Sequence, residues 1–506
     1  MDSAARPGID GRIWWAAFAL VAALLAVPFF LVAVPPVLDY PNHLARLTVL
    51  AFPDDPALAA MYEPTWRLVP NLAIDLVGPP LVRLLPVHVA GRMLLALAAF
   101  LPFAGAVALH RALFRRRALW PLGAAILAFN GVFLLGFVNF LYGAGVALLG
   151  AAAFVALSRR SRLAAAAAAS VAGIVAFFCH PLALLFLWLL LAAMELDAWL
   201  RLPTAQDALR RVAWLAAIAA PALLLLALSA GGEGGAVVWS TPARKAVDAL
   251  SPFLTYHQVA GVVVAAMVLT AFILVARRSV VSRAGLIALA AIALAFLAAP
   301  RAMLGGTFVD TRLPVLAGFI AFAAFMPRLT GRMPAIVGGL LGAALVLRVG
   351  EVAVSWSSHR TDLADFRAVI APVEPGATVL VVSASSAGAG AAGEIPGLYR
   401  TDLHLPALLL IERRAFWPFL FADPRQQPVT IRESYAAIAA PLAEPQPLRT
   451  LAADLATLPG YLRDWPERFD YLLVLGAPPD DAPIAAALQL VRGSPIASLF
   501  AISGSR

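Results

Sequence analysis

Residues 32–50 read VAVPPVLDYPNHLARLTVL, and they begin where the first long apolar run of the chain stops. That run, Ile13 to Val34, is long enough to cross a hydrocarbon layer roughly 30 Å thick, which takes about twenty helical residues. Directly after it the chain sets Asp39, Asn42, His43 and Arg46 within eight positions. The fold turns on whether the run is a membrane helix and the polar cluster its first external segment.

Composition supports that reading. Hydrophobic residues make up 62% of the 506 and charged residues 13%, about half the charged share of soluble proteins. The chain is therefore read as an α-helical polytopic membrane protein, since helices satisfy their own backbone hydrogen bonds in lipid. From Ile13 to Val352 it supplies about eleven runs of spanning length.

The net charge of +9 invites a nucleic-acid reading, which its distribution removes. Up to Val352 there are 26 Lys and Arg against 14 acids, and beyond it 12 against 15. Most basic residues of the first part fall in short clusters: Arg6 and Arg12, Arg115 to Arg117, Arg159 to Arg162, Arg201 to Arg211, Arg277 to Arg283, and Arg328 with Arg332. They occupy alternate loops, the pattern of cytoplasmic loops. The amino terminus is thus expected inside, and the chain after the last span outside. The single cysteine, Cys179, excludes an internal disulfide. Ile13 to Val34 is longer than a signal-peptide core and lacks a clear cleavage site, so it reads as a retained helix.

On this path residues 1–352 form the transmembrane domain, with an external segment at 35–86. That segment carries LARLTVLAF and NLAIDLVGPPLVRLL, amphipathic pieces suited to lying in the membrane interface. Further outer turns fall at Asn130 to Gly136, at His180, in the loop holding Glu233, and at APRAMLGGTFVDTRLP, residues 299–314. From about Ser355 the texture changes, with prolines, polar spacing and short β-rich runs such as ATVLVVSAS and FDYLLVLG. Residues 353–506 read as a small extracytoplasmic α/β domain, of ordinary domain size.

Asp39 has a structural reading, as cap of a surface helix that Pro41 helps to start. Its chemical reading is as a base that takes a proton from an incoming hydroxyl. A cap needs neither His43 nor Arg46, which lie three apart on one helical face. At LDYPNHLARL the chain resembles the polyprenyl-phosphate-sugar-dependent glycosyltransferases of the GT-C fold class. In that class an acid opens a long external loop after the first helix, which would make Asp39 the catalytic base. Many members also carry a carboxyl-terminal extracytoplasmic domain.

A second stretch, FVDTRLPVLAGFIAFA at residues 308–323, resembles the acid, arginine, aromatic and proline that the class often sets at the head of a late helix. Asp310, Arg312 and Pro314 fit, while Leu313 occupies the aromatic position. Arg301 and Arg312 flank an external loop near the membrane surface, and arginine suits phosphate geometry. Pairing of Arg312 with Asp310 is the structural alternative. His180, at an outer turn, and Glu233, in a glycine-rich loop, are lesser substrate candidates.

GAGAAG, residues 388–393, matches a dinucleotide fingerprint, with Glu412 about twenty residues on. Glu394, Ile395 and Pro396 interrupt the helix that should follow, so it reads as a loop. The segment His404 to Val429 is too broken by charge and proline to span, and suits docking of the outer domain or an acceptor groove.

The resemblance implies an inverting glycosyltransferase of the bacterial inner membrane. It would move a sugar from a polyprenyl-phosphate donor to a glycan or lipid acceptor at the outer face, with Asp39 as base and His43, Arg46, His180, Arg301, Asp310 and Arg312 around the substrates. The fold class admits a divalent metal, but no cluster of acids here is sufficient to hold one. A transporter, flippase or ligase-like handler of lipid-linked saccharides is the alternative, and a non-catalytic scaffold the third. Transport calls for ionisable groups near mid-membrane, whereas the polar residues here collect at outer helix ends.

Overall fold

The computed structural model describes residues 9–201, 203–229, 235–303, 305–384, 390, 393–395, 399–441, 443–453, 457–476 and 488–502. Helix α1 (Gly11–Ala26) is capped by Asp10, whose carboxylate accepts the Arg12 and Ile13 amides. It passes into a 3-10 turn at Val27–Phe30, where Pro28 has no amide hydrogen to donate. The segment at 35–86 folds into α2 (Tyr40–Ala51), α3 (Pro56–Met61), the short strand β1 (Tyr62–Pro64) and α4 (Ala73–Leu84).

The chain re-enters the bundle as α5 (Val87–Phe114) and continues through a 3-10 run at Trp120–Leu127 into α6 (Gly131–Leu134) and α7 (Val138–Leu157). Then follow α8 (Arg162–Cys179), α9 (Pro181–Trp199), α10 (Ala205–Leu228), α11 (Pro242–Asp248) and α12 (Gln258–Ala276). A small antiparallel pair, β2 (Ser279–Val281) with β3 (Phe325–Pro327), flanks α13 (Arg283–Ala298) and α14 (Val309–Ala324). The last bundle helix is α15 (Met333–Ile370).

Among the described residues eight helices are long and apolar enough to cross a membrane: α1 with its 3-10 turn, α5, α7, α8, α9, α10, α12 and α15. Two shorter apolar stretches, Trp120–Leu134 and α13, join them, and α14 packs against α13 and α5. The chain is a multi-pass membrane protein. Small residues bring neighbours close, as membrane helices do: a Cβ on Gly145 of α7 would meet Leu101 of α5 at 2.5 Å.

Beyond the bundle lies a small strand-rich domain. Its sheet has the order β6-β4-β7-β9-β8, from β4 (Val379–Ser383), β6 (Gln446–Pro447), β7 (Tyr471–Leu475), β8 (Leu488–Gly493) and β9 (Ala497–Ile502). The β-rich runs expected from sequence are β4 and β7, which pair in parallel. α15 runs unbroken through position 352 to Ile370. The domain therefore sits on a rigid continuation of the bundle.

This domain clasps the segment at 35–86. Strand β5 (Val429–Ile431) pairs antiparallel with β1, Arg414 binds Asp55 at 2.8 Å, and Glu412 on α16 (Leu408–Arg413) binds Arg367 of α15 at 2.6 Å and His88 of α5 at 2.8 Å. The expectation that LARLTVLAF lies in the membrane interface is corrected: every residue of α2 except His43 is buried. α4 and α5 cover α2 from one side, and α16 with the turn before it from the other. Local periodicity could not show that second cover. α4 does keep an exposed apolar edge at Leu76, Val77 and Leu84.

Candidate active site

Asp39 stands at the start of α2, but its side chain makes no capping bond. The helix is opened instead by Pro41 in its first turn. The backbone of this junction is tied to the α6–α7 turn: the Leu38 amide donates to the Leu134 carbonyl at 2.9 Å and the Asp39 amide to Leu135 at 3.2 Å. Gly136 completes that turn at φ +86°, and a Cβ there would stand 2.8 Å from both the Asp39 Cβ and amide nitrogen. Only glycine combines that backbone with so close an approach.

Burial pushes the Asp39 carboxyl up to about 7, with Glu444 adding to the rise and Arg312 and Arg46 opposing it. A carboxyl poised near neutrality suits a general base. Next to it, the Nε2 of His404 lies 3.5 Å from Asp39 Oδ1. His404 comes from the strand-rich domain and is packed edge-on against Trp417 and Phe421. Its Nδ1 meets the side-chain nitrogen of Asn42 at 3.2 Å. Burial pushes His404 down to about 4, so it is neutral at physiological pH.

Arg312, in the first turn of α14, acts on the Asp39 carboxyl electrostatically. Its guanidinium is buried over the ring of Phe137 at 4.4 Å, and donates to the Thr307 carbonyl at 3.1 Å. Another of its nitrogens lies 2.9 Å from His180 Nε2, and its Nε has no partner. Among the described residues no carboxylate stands within ion-pair distance of it. A buried cation with no carboxylate in contact is costly, so an anion bound against this guanidinium would stabilise it.

Arg301 and Asp310 are differently placed. Arg301 lies over Phe308 and 3.5 Å from Asp248, so it has a counter-charge. Asp310 is fully buried, accepts from Ser240 at 2.7 Å and lies 3.4 Å from Lys245, whose ammonium also donates to the Phe296 and Ala299 carbonyls. These contacts pin the head of α14 to the loop around α11. Asp310 does not pair with Arg312. Arg46 is buried against Asp75 in a two-point ion pair, 2.7 and 3.1 Å, that joins α2 to α4. His43 lies edge-on to Phe421, and burial with the nearby Arg46 holds it well below its usual range.

The structure thus links Asp39 to Arg312 electrostatically and Arg312 to His180, sets His43 against Phe421, and commits Arg46 and Asp310 to fixed partners. Glu233 and most of GAGAAG lie outside the described residues. The acid that completed that fingerprint, Glu412, is bound to Arg367 and His88. Sequence reasoning missed His404, Lys245, Asp248 and Tyr399. The last packs on Phe308 and is influenced by Asp39, Arg301 and Arg244. No local signal marks any of them, because each reaches the site from a distant element.

Among the described residues no three His, Cys, Asp or Glu side chains gather as metal ligands. Beside Asp39 the nearest such group is one neutral imidazole, and this pair does not fit a divalent ion that wants several oxygens.

The chain superposes over nearly its whole length on solved structures of ArnT from Cupriavidus metallidurans. The apo crystal structure matches with a TM-score of 0.53 at 12% identity, covering 97% of this chain and 98% of that one. The crystal structure bound to undecaprenyl phosphate matches with 0.51 at 13% identity, covering 98% and 99%. No family model and no curated protein sequence matches the chain. At such identities the likeness is one of fold: the chain has the GT-C fold that its sequence resembles.

Proposed function

We propose that this protein is an inverting glycosyltransferase that moves a sugar from a polyprenyl-phosphate donor to an acceptor hydroxyl at the outer face of a bacterial inner membrane. One observation carries the reading: an uncapped, half-buried Asp39 carboxyl lies within electrostatic reach of the buried Arg312 cation, which has no carboxylate in contact among the described residues. That sets a base and an anion-binding cation within electrostatic reach of each other. The undecaprenyl phosphate bound to a neighbour of the same fold supports a lipid phosphate as the anion.

In the reaction Asp39 takes the proton of the acceptor hydroxyl as its oxygen attacks the anomeric carbon. The bond from that carbon to the phosphate oxygen breaks on the opposite side, and its electron pair leaves with the polyprenyl phosphate. Arg312, held by the Thr307 carbonyl and the Phe137 ring, offsets the charge that develops there, a fixed donor that needs no reorganisation. Asp310 with Lys245 holds the head of α14, and Arg46 with Asp75 holds α2. Arg301 is already paired with Asp248, and His43 lies edge-on to Phe421.

Sugar transfer from a polyprenyl-phosphate-linked donor in proteoliposomes tests the proposal. Asp39→Asn should abolish transfer, by roughly a hundredfold or more, while polyprenyl phosphate still binds. An Asp39→Asn protein that turns over normally overturns it.

A further inference from the structure

We infer that His404 of the strand-rich domain is a positioning residue that aims its Nε2 proton at Asp39, and that Asn42 sets the tautomer that puts the proton there. The inference rests on the reading of Asp39 as base, and it gives that base a second domain on which it depends.

The hydrogen bonds of Asn42 decide the matter. Its side-chain oxygen accepts the Phe421 amide at 2.8 Å, and its nitrogen donates to the Phe419 carbonyl at 2.9 Å. Both partners are backbone groups of fixed polarity, so the amide can be oriented only one way. The remaining hydrogen on that nitrogen points at His404 Nδ1, 3.2 Å away. Nδ1 must therefore accept. A neutral imidazole with an accepting Nδ1 carries its proton on Nε2, and Nε2 is the atom that faces Asp39 at 3.5 Å. Asn42 is fully buried and His404 nearly so, and Trp417 and Phe421 fix the ring plane.

A donor so placed favours the ionised carboxylate and holds one of its oxygens, leaving the other for the acceptor hydroxyl. The 3.5 Å separation is long for a hydrogen bond, as catalytic contacts often are before substrate binds. The groups that bear on Asp39 are Arg46 from α2, Arg312 from α14, and Glu444, Tyr399 and His404 from the strand-rich domain. Among the described residues His404 is the basic side chain within ion-pair distance of its carboxylate. The arrangement also explains why Asn42, which a helix cap does not need, stands three residues after Asp39. It makes the same residue that docks the strand-rich domain set the proton on His404.

The experiment is the pH profile of turnover for the full-length protein in proteoliposomes, with a polyprenyl-phosphate-linked sugar as donor. His404→Leu keeps the volume and removes the donor: turnover should fall about tenfold, and the acid limb should move up by about one pH unit. His404→Gln sets an N–H near the Nε2 position and should restore the limb. Asn42→Asp prefers a protonated Nδ1, which turns a lone pair toward Asp39, and should lower turnover at least as far as His404→Leu. An unshifted limb in His404→Leu, or a His404→Gln protein as slow as His404→Leu, overturns the inference. If His404→Leu fails to fold, His404→Gln decides alone: turnover within about threefold of the parent protein supports the inference, and a loss of tenfold or more ends it. If Asp39→Asn is inactive while the limb stays put, the base survives and only the positioning role falls.

Discussion

A nitrogen of the Arg312 guanidinium lies 2.9 Å from His180 Nε2, while His180 Nδ1 already accepts the Leu182 amide at 3.1 Å. A neutral imidazole has one lone pair in its plane, yet two N–H groups aim at this ring. One of them is left without an acceptor, and the Arg312 Nε hydrogen is unpartnered as well. An anion that took the arginine hydrogens would relieve both, which ranks Arg312 above the already paired Arg301 as the phosphate ligand.

Arg312→Gln should therefore weaken use of the lipid donor by roughly a hundredfold, the scale of a lost charge-assisted contact in a dry site. Arg301→Gln should cost less. Binding of polyprenyl phosphate to the two purified variants checks this, and equal affinities would remove Arg312 from the site.

Asp39→Asn should raise stability while it stops turnover. The carboxyl titrates at 3.8 when unperturbed and at about 7 here. As pH rises from about 4 to 7, an unfolded chain ionises at this position before the folded one does, so folding stability falls and the loss is complete above about 7. Asparagine removes that loss. The variant should melt higher than the parent at pH 8 and alike near pH 4, and a lower melting point at pH 8 would show that Asp39 supports the helix after all.

Turnover of the parent protein should follow the same ionisation. Below about 7 the carboxyl already holds a proton and cannot take another, so the rate should drop tenfold per pH unit on the acid side. A rate that is flat between pH 5 and 7 contradicts a base in this environment.

Gly136→Ala should slow the reaction without greatly changing donor binding. It adds a Cβ at 2.8 Å from Asp39 in a backbone at φ +86°, and a shift of about 1 Å in a catalytic group costs on the order of a hundredfold. Full activity in this variant would mean that the α6–α7 turn does not hold Asp39 in place.

Arg46→Ala should destabilise the protein by about 3–5 kcal/mol, because it leaves Asp75 buried and unpaired. Arg46→Met combined with Asp75→Leu should recover most of that loss. Denaturation in detergent measures both, and a single variant as stable as the parent would return Arg46 to the list of free substrate ligands.

Residue patterns alone made the membrane class legible. Twenty-residue apolar runs, charged loops in alternation and a polar cluster after the first run are local features, and the hydrocarbon layer fixes their meaning by its thickness and its intolerance of bare backbone. The same locality exposed Asp39, since an acid at the exit of a span is conspicuous against an apolar background. It exposed Arg312 for the same reason.

What the sequence could not decide is how those residues are used. Arg46 and Arg312 look alike in the chain, yet one meets Asp75 and the other meets no carboxylate among the described residues. His43 stands four residues from Asp39, but the imidazole whose proton faces the carboxylate is His404, 365 positions away. α2 has an interfacial sequence and a buried position, because a domain after α15 folds back over it. Charge, burial and hydrogen-bond polarity depend on what packs against a side chain, and only the tertiary structure brings those partners together.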